Sequence, residues 1–112
     1  MINMSTAVIS VASQFSETPA GRYLDDGPFS GEAFREKLLF PALESNEIVQ
    51  VDLDGALGYG SSFLEEAFGG LVRAKGMRCA DLRKRLKIKS SRRFYEERIW
   101  HYIDEAEAKR KN

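Results

Sequence analysis

The side chains best suited to chemistry lie close together, between residues 52 and 62. Asp52 and Asp54 are carboxylates two residues apart, and carboxylates in a turn commonly accept hydrogen bonds from backbone amides. Ser62 and Glu65 have the spacing of a capping box, in which side chains satisfy free amides at the start of a helix. Three glycines stand at positions 55, 58 and 60. A glycine-rich loop can cradle phosphate, but no Gly-Lys-Ser/Thr sequence follows, so we expect these glycines to form a tight loop with positive φ angles.

Two regular elements position these residues. The sequence Ile-Val-Gln-Val-Asp-Leu at 48–53 is a near-continuous apolar run, which predicts a central strand, parallel to a neighbour. After the loop, one set of apolar residues recurs at the i, i+3, i+4 and i+7 spacing of a helix with one buried face; its members are Leu64, Ala67, Phe68 and Leu71. The aspartates therefore lie at the end of a strand, and the serines lie at the start of the second long helix.

The remaining segments predict a layered α/β domain. β-Branched residues indicate a strand at 7–12, and the Leu-Lys-Ile-Lys alternation at 86–89 indicates an exposed edge strand. A first helix begins after Ser30 and is expected to end or kink near Phe40, because Pro41 lacks an amide hydrogen. The last helix buries a stripe of side chains, Tyr95, Ile99, Tyr102, Ile103 and Ala106. The expected fold is a small mixed β-sheet of about four strands with about three helices packed mainly on one face.

Composition and charge restrict the class of protein. The chain has 112 residues, of which 43% are hydrophobic and 30% are charged, and its formal net charge is zero. No stretch approaches the roughly 20 apolar residues of a membrane helix. We therefore expect one cytoplasmic domain over residues 1–112, in which residues 107–112 are a frayed tail. A single cysteine, Cys79, and a single histidine, His101, are too few for a Cys/His metal site, so we expect no metal and no cofactor.

The segment 48–72 resembles the core of a STAS domain, the fold of the anti-sigma-factor antagonists. In that pattern an apolar strand ends in Asp, and an Asp-Ser-Ser-Gly-Leu box begins the next helix; here the box at 60–64 reads Gly-Ser-Ser-Phe-Leu. The chain is more similar still to a STAS-like family of unknown function that occurs in bacteria and phages. Three motifs carry this similarity: Gly-Glu-Ala-Phe-Arg at 31–35, Asp-Leu-Asp-Gly at 52–55 and Ser-Ser-Phe-Leu-Glu-Glu-Ala-Phe-Gly at 61–69.

The resemblance implies a regulatory, non-catalytic module that binds a kinase- or ATPase-type protein and passes on a signal. In the antagonists the partner kinase phosphorylates the first serine of the box, which corresponds to Ser61. Gly60 and Phe63 replace the acidic residue and the glycine that flank the paired serines there. We expect the partner to contact the N-terminal end of the second helix, with Tyr59 and Phe63 as exposed apolar anchors. The expected contact residues are Gly58, Tyr59, Gly60, Ser61, Ser62 and Phe63.

The same aspartates carry a second resemblance. Residues 51–57 resemble the nucleophile motif of haloacid-dehalogenase phosphatases, in which the first Asp attacks phosphorus and the second acts as acid and base beside a magnesium ion. Asp52 and Asp54 would then be catalytic. Those enzymes also need a Ser/Thr, a Lys and an acidic pair on later strands, and residues 58–112 are too few to supply these strands and their helices. We therefore expect no enzymatic activity and no catalytic residues.

Charge is distributed unevenly along the chain. Residues 73–93 contain ten Lys or Arg side chains and one acidic side chain, Asp81. A basic segment can bind the phosphates of nucleic acid, although charge runs are commonly solvated faces, and an acidic protein would use the same patch. The alternative function is therefore a nucleic-acid-associated regulator. Its anion-binding residues would be Arg83, Lys84, Arg85 and Lys87.

Overall fold

The structure, a computed structural model, describes residues 5–110. Three strands lie in this range: β1 (Thr6–Ser10), β2 (Ile48–Asp52) and β3 (Leu86–Lys89). They form one sheet in the order β1-β2-β3, and both pairs are parallel. The expectation of about four strands in a mixed sheet is wrong for the described residues. Both connections between strands contain helices, which is the kind of connection that parallel neighbours require.

Helices within residues 5–110 number five, where about three were expected. They are α1 (Val11–Gln14), α2 (residues 31–45), α3 (residues 61–73), α4 (Cys79–Arg85) and α5 (Arg93–Arg110), and a 3₁₀ turn covers Leu24–Asp26. The hydroxyl of Ser10 caps α1 by accepting a hydrogen bond from the amide of Ser13 at 3.2 Å. This cap ends β1 before Val11 and explains why the strand is shorter than predicted.

Helices α2 and α3 each contain a five-residue π segment, Arg35–Leu39 in α2 and Glu65–Gly69 in α3. In α2 the amide of Phe40 donates to the carbonyl of Arg35, five residues earlier. The helix then continues past Pro41 to residue 45, so of the two expected outcomes near Phe40, an end or a kink, the end is wrong. Proline is tolerated in the first turn of an α-helix, and Pro41 occupies the first turn of the α-helical part that follows the π segment.

A buried ion pair joins the two π segments. The guanidinium of Arg35 donates to the Glu66 carboxylate at 2.8 Å and to the Glu66 carbonyl at 2.6 Å. Glycines permit this close approach of the helices: a Cβ at Gly31 would overlap the carbonyl of Phe63, and a Cβ at Gly70 would overlap the Arg35 guanidinium. Helix α2 is thereby held against the part of α3 that follows the paired serines.

One face of the sheet is buried and the other is open. Ile9 and Val51, which are register partners, are buried in a core shared with side chains of α2, α3 and α5. On the opposite face Val8 is 58% exposed, and Lys87 is exposed as well. The helices therefore pack mainly on one face, as expected, although parallel sheets are commonly covered on both.

The C-terminal helix extends to Arg110, so it includes residues 107–110, which the sequence predicts as part of a frayed tail. The Glu107 carboxylate accepts a hydrogen bond from the amide of Cys79 at 2.9 Å, and the Arg110 guanidinium donates to the carbonyl of Gly76 at 3.2 Å. The rest of that prediction, residues 111–112, lies outside the described residues. None of the helices between residues 5 and 110 combines the length and the apolar character that crossing a membrane demands.

Candidate functional site

The predicted site lies at the edge of the sheet where the parallel strands end. After β2 the chain forms a loop over residues 53–60, and after β3 it passes through residues 90–92 into α5. In α/β proteins, ligands commonly bind outside the carboxyl ends of the strands. The two connections line a depression of about 200 Å³. We call the surface formed by residues 53–62 and 90–94 the strand-end surface.

Asp52 and Asp54 stabilise this edge through hydrogen bonds. The Asp54 carboxylate accepts bonds from the amide and the hydroxyl of Ser91, at 2.8 and 2.9 Å, and the Asp52 carboxylate accepts one from the amide of Asp54 at 3.0 Å. The bonds from Ser91 lower the pKa of Asp54 below its ordinary value. Within residues 5–110 no three His, Cys, Asp or Glu side chains are grouped as ligands for a metal ion. Asp54 therefore connects the loop to the start of α5, whereas Asp52 accepts a bond within the loop and pairs with Lys89 of β3 at 3.6 Å.

Tyr59 fixes the other end of the loop. Its hydroxyl donates to the carbonyl of Leu53 at 2.7 Å, and its amide donates to the hydroxyl of Tyr95 at 3.2 Å. The two tyrosine rings pack edge to face with centroids 5.2 Å apart, and burial raises the pKa of Tyr59. Tyr59 is half-buried, so it is not the freely exposed anchor that the sequence predicted.

Phe63 is buried, which contradicts its prediction as an exposed anchor. Its side chain is 1% exposed, and its ring packs between those of Phe15, Phe34 and Tyr59. The reason is helical phase: Phe63 precedes Ala67 by four residues, and residues four apart share one face of a helix. The side chain therefore belongs to the core.

The first turn of α3 is also capped differently from the prediction. Gly60 is the N-cap and no side chain accepts a capping hydrogen bond, so the predicted capping box of Ser62 and Glu65 is absent. Ser61 and Ser62 are exposed, and neither hydroxyl makes a hydrogen bond within residues 5–110. The Glu65 carboxylate is occupied elsewhere, because it accepts hydrogen bonds from two arginines, Arg22 and Arg73.

Leu57 is the apolar side chain that this surface presents to solvent. It is 79% exposed, although its backbone is fixed: the Leu57 amide donates to the carbonyl of Glu17 at 2.9 Å. Gly55 has a φ of +97°, and a Cβ at this position would meet the Cβ of Ala12 at 3.0 Å. The loop is thus packed against the neighbouring chain segment while its leucine points outward. Sequence reasoning placed Leu57 in the loop but missed it as a contact residue.

Two further residues of the strand-end surface were not predicted as contacts. Phe94 is 50% exposed, and its ring centroid lies 4.3 Å from that of Tyr95. Arg92 is exposed and lines the same depression as Leu57. The sequence signal for Phe94 is its position directly before Tyr95, because the neighbour of a buried helical residue lies on a different side of the helix.

The basic segment 73–93 does not form one continuous patch. Arg83 pairs with Asp104 at 2.9 Å, and Arg85 donates to backbone carbonyls near the end of α2. Six of the ten basic side chains form an ion pair or donate to a backbone carbonyl; they are Arg73, Lys75, Arg78, Arg83, Arg85 and Lys89. Those without such a partner in the described part of the chain are Lys84, Lys87, Arg92 and Arg93. The predicted anion-binding set is therefore divided, since only Lys84 and Lys87 remain unengaged.

Comparison with known proteins agrees with the resemblance seen in the sequence. Residues 30–92 match a family described as the STAS-like domain of unknown function (DUF4325). The match includes α2, the loop at 53–60, α3 and β3. No curated protein and no solved structure matches the chain.

Proposed function

The chain belongs to the family of STAS-like domains of unknown function, and on this basis we propose that it is a non-catalytic regulatory module that binds another protein. We assign its binding site to the strand-end surface. The proposed partner is a kinase- or ATPase-type protein, by analogy with the anti-sigma-factor antagonists, and the proposed setting is signal transduction in the cytoplasm.

The observation that supports this proposal best is the exposure of Leu57 on a fixed loop. Burial of an exposed apolar side chain contributes favourably to protein association. Ordering a flexible loop costs free energy on binding, and a loop that is already fixed avoids this cost. Hydrogen bonds from Leu57 to Glu17, from Ser91 to Asp54 and from Tyr59 to Leu53 restrain the loop here. Leu57 takes the role that the sequence had suggested for Phe63.

Ser61 remains the proposed phosphorylation site. Its side chain is exposed at the first residue of α3, beside an N-cap that has no side-chain acceptor. A phosphate at this position would meet free backbone amides and the positive end of the helix dipole. The added charge would lie next to the loop that carries Leu57, so phosphorylation would change the binding surface directly.

The other two functions receive less support. Asp52 and Asp54 accept hydrogen bonds within their own loop and from Ser91, which supports a structural use for both. Most of the basic segment is engaged inside the fold. Magnesium-dependent hydrolysis of p-nitrophenyl phosphate that is abolished by Asp52→Asn would overturn the non-catalytic part of the proposal.

An affinity capture from the producing cells tests the binding surface. Wild type is compared with Leu57→Asp and with a matched control, Val8→Asp, which alters an exposed apolar residue on the open face of the sheet. We expect one protein to be recovered by wild type and by Val8→Asp but not by Leu57→Asp. Ser61→Glu should weaken the same capture. Recovery of identical proteins with all variants would refute the assigned surface.

A further inference from the structure

Two arginines of the strand-end surface have no ion-pair partner in the described part of the chain. Arg92 and Arg93 are exposed, and neither side chain forms an ion pair with a residue of the 5–110 range. They stand at the N-terminal end of α5, where the helix dipole is unfavourable for cations. Helix stability therefore does not account for the two charges at this position.

The rest of the basic segment shows how the fold uses its other cations. Lys75 pairs with Glu36 of α2 and Arg78 pairs with Glu107 of α5, whereas Arg73 pairs with Glu65 within its own helix. Within residues 73–93, two further cations have no ion-pair partner in the described chain, and neither belongs to the strand-end surface; they are Lys84 and Lys87. The strand-end surface thus combines an exposed apolar residue with two arginines that form no ion pair in the described chain. It also carries one carboxylate, that of Asp54, which accepts hydrogen bonds from Ser91.

The depression in the strand-end surface has room for one side chain of a partner. The depression of about 200 Å³ is lined by the loop at 53–59, by Ser90 and Ser91 and by Arg92. This volume suits a single side chain, and a guanidinium at the rim forms strong charge-assisted bonds with a carboxylate. Leu57 lines the same depression and Phe94 follows Arg93 in the chain, so apolar contacts are available next to the charge.

We propose that the strand-end surface binds an acidic peptide segment of a partner protein, in which carboxylates contact Arg92 and Arg93 and an apolar side chain contacts Leu57. This inference rests on the proposed protein-binding function and adds the chemistry of the partner. Carboxylates at the rim of an interface increase association rates and make binding sensitive to salt.

A selection from a random-peptide display library tests the proposal without knowledge of the partner. Peptides are selected on wild type and counter-selected on Leu57→Asp. Affinities of the recovered peptides are then measured by fluorescence anisotropy for wild type, Arg92→Glu/Arg93→Glu and the matched control Lys84→Glu/Lys87→Glu. The control makes the same change in net charge at the two other cations of residues 73–93 that have no ion-pair partner in the described chain. All positions altered are exposed, and thermal unfolding confirms that the variants are folded.

We expect the selected peptides to be acidic, with at least one apolar residue. The arginine double variant should lose affinity by at least about tenfold, the lysine double variant should not, and binding should weaken as NaCl rises from about 50 to about 300 mM. Leu57-dependent peptides that are neutral or basic, or that ignore the arginine change, would overturn the acidic partner and leave the protein-binding function standing. Absence of any Leu57-dependent peptide would overturn both.

Binding of a labelled oligonucleotide to the same variants distinguishes a nucleic-acid partner from an acidic protein partner. We expect no binding that depends on Arg92 and Arg93. Oligonucleotide binding lost in Arg92→Glu/Arg93→Glu, without selected acidic peptides, would assign these arginines to nucleic acid and refute the proposal.

Discussion

Replacing Glu66 with alanine should destabilise the protein strongly, because it leaves a buried charge without its main partner. The side chains of Arg35 and Glu66 are 4% and 7% exposed, and their ion pair joins α2 to α3. Glu36 also contacts Arg35, at 2.8 Å, but its side chain is 34% exposed. Removing one partner of a buried pair costs about 3–5 kcal/mol. We expect a loss of this size in the free energy of unfolding for Glu66→Ala.

This loss is a large part of the total stability. A chain of 112 residues has an unfolding free energy of about 6–17 kcal/mol. With a urea dependence of about 1–3 kcal/mol per molar, the unfolding midpoint should fall by at least about 1 M. The fluorescence of Trp100 reports the transition, because this is the single tryptophan and it lies half-buried under the guanidinium of Arg83.

Two further variants serve as controls for Glu66→Ala. Arg35→Met/Glu66→Met replaces both charges by apolar side chains, which is often neutral for a buried pair, so it should recover most of the stability lost in Glu66→Ala. Glu36→Ala removes a more exposed partner and should cost less than about 1 kcal/mol. A loss below about 1 kcal/mol for Glu66→Ala, or a double variant less stable than the single one, would refute the reasoning.

Packing around the candidate site leads to three more expectations, all measurable by urea unfolding. Phe63→Ala should lower the free energy of unfolding by about 3–5 kcal/mol, because it leaves a cavity in place of a buried ring. Leu57→Ala should lower it by less than about 0.5 kcal/mol. Equal losses in the two variants would contradict the burial of Phe63 and the exposure of Leu57. Ser62→Ala should leave the midpoint unchanged, since no side chain caps α3; a loss of about 1 kcal/mol would instead indicate a capping role. Burial alone would raise the pKa of Glu36 and of Glu65, but hydrogen bonds from cations outweigh it and hold both pKa values below the ordinary 4.5. The unfolded chain then takes up protons before the folded one, so the free energy of unfolding should fall as the pH drops through 4.5 and below. Glu65→Gln should reduce the slope of unfolding free energy against pH. An equal slope in wild type and variant would show that Glu65 contributes nothing to this pH dependence.

Local periodicity was sufficient to predict the elements that form the core. Leu64, Ala67 and Phe68 are buried as their spacing indicates, and β2 lies where the apolar run predicts it. Helical phase would also have placed Phe63 in the core, since it precedes Ala67 by four residues. The position of Phe63 beside the paired serines suggests an exposed anchor, but its helical phase places the ring in the core.

Contacts between residues that are far apart in the sequence could not be predicted from local periodicity. The backbone of Leu57 is held by a hydrogen bond to Glu17, and the bond from Ser91 to Asp54 spans 37 positions. The pair of Arg35 and Glu66 is separated by 31 positions. Neither the alternation of strands nor the periodicity of helices carries information about which distant side chains meet. For the same reason, the sequence does not show which basic side chains of residues 73–93 pair with carboxylates from other elements.

The π segments determine where the length of this chain can change. Insertion or deletion of one residue in a regular α-helix rotates everything beyond it by about 100°, which turns an apolar stripe away from the core. A π turn already accommodates one residue more than the α-helical turn it replaces. A chain shortened by one residue within 35–39 or 65–69 would form a regular helix whose flanking turns keep their faces toward the core. Sequence alignments of this family should therefore permit gaps inside these two helices. An alignment that forbids such gaps would no longer match Arg35 or Glu66, which join the two helices, with the equivalent residues of shorter members.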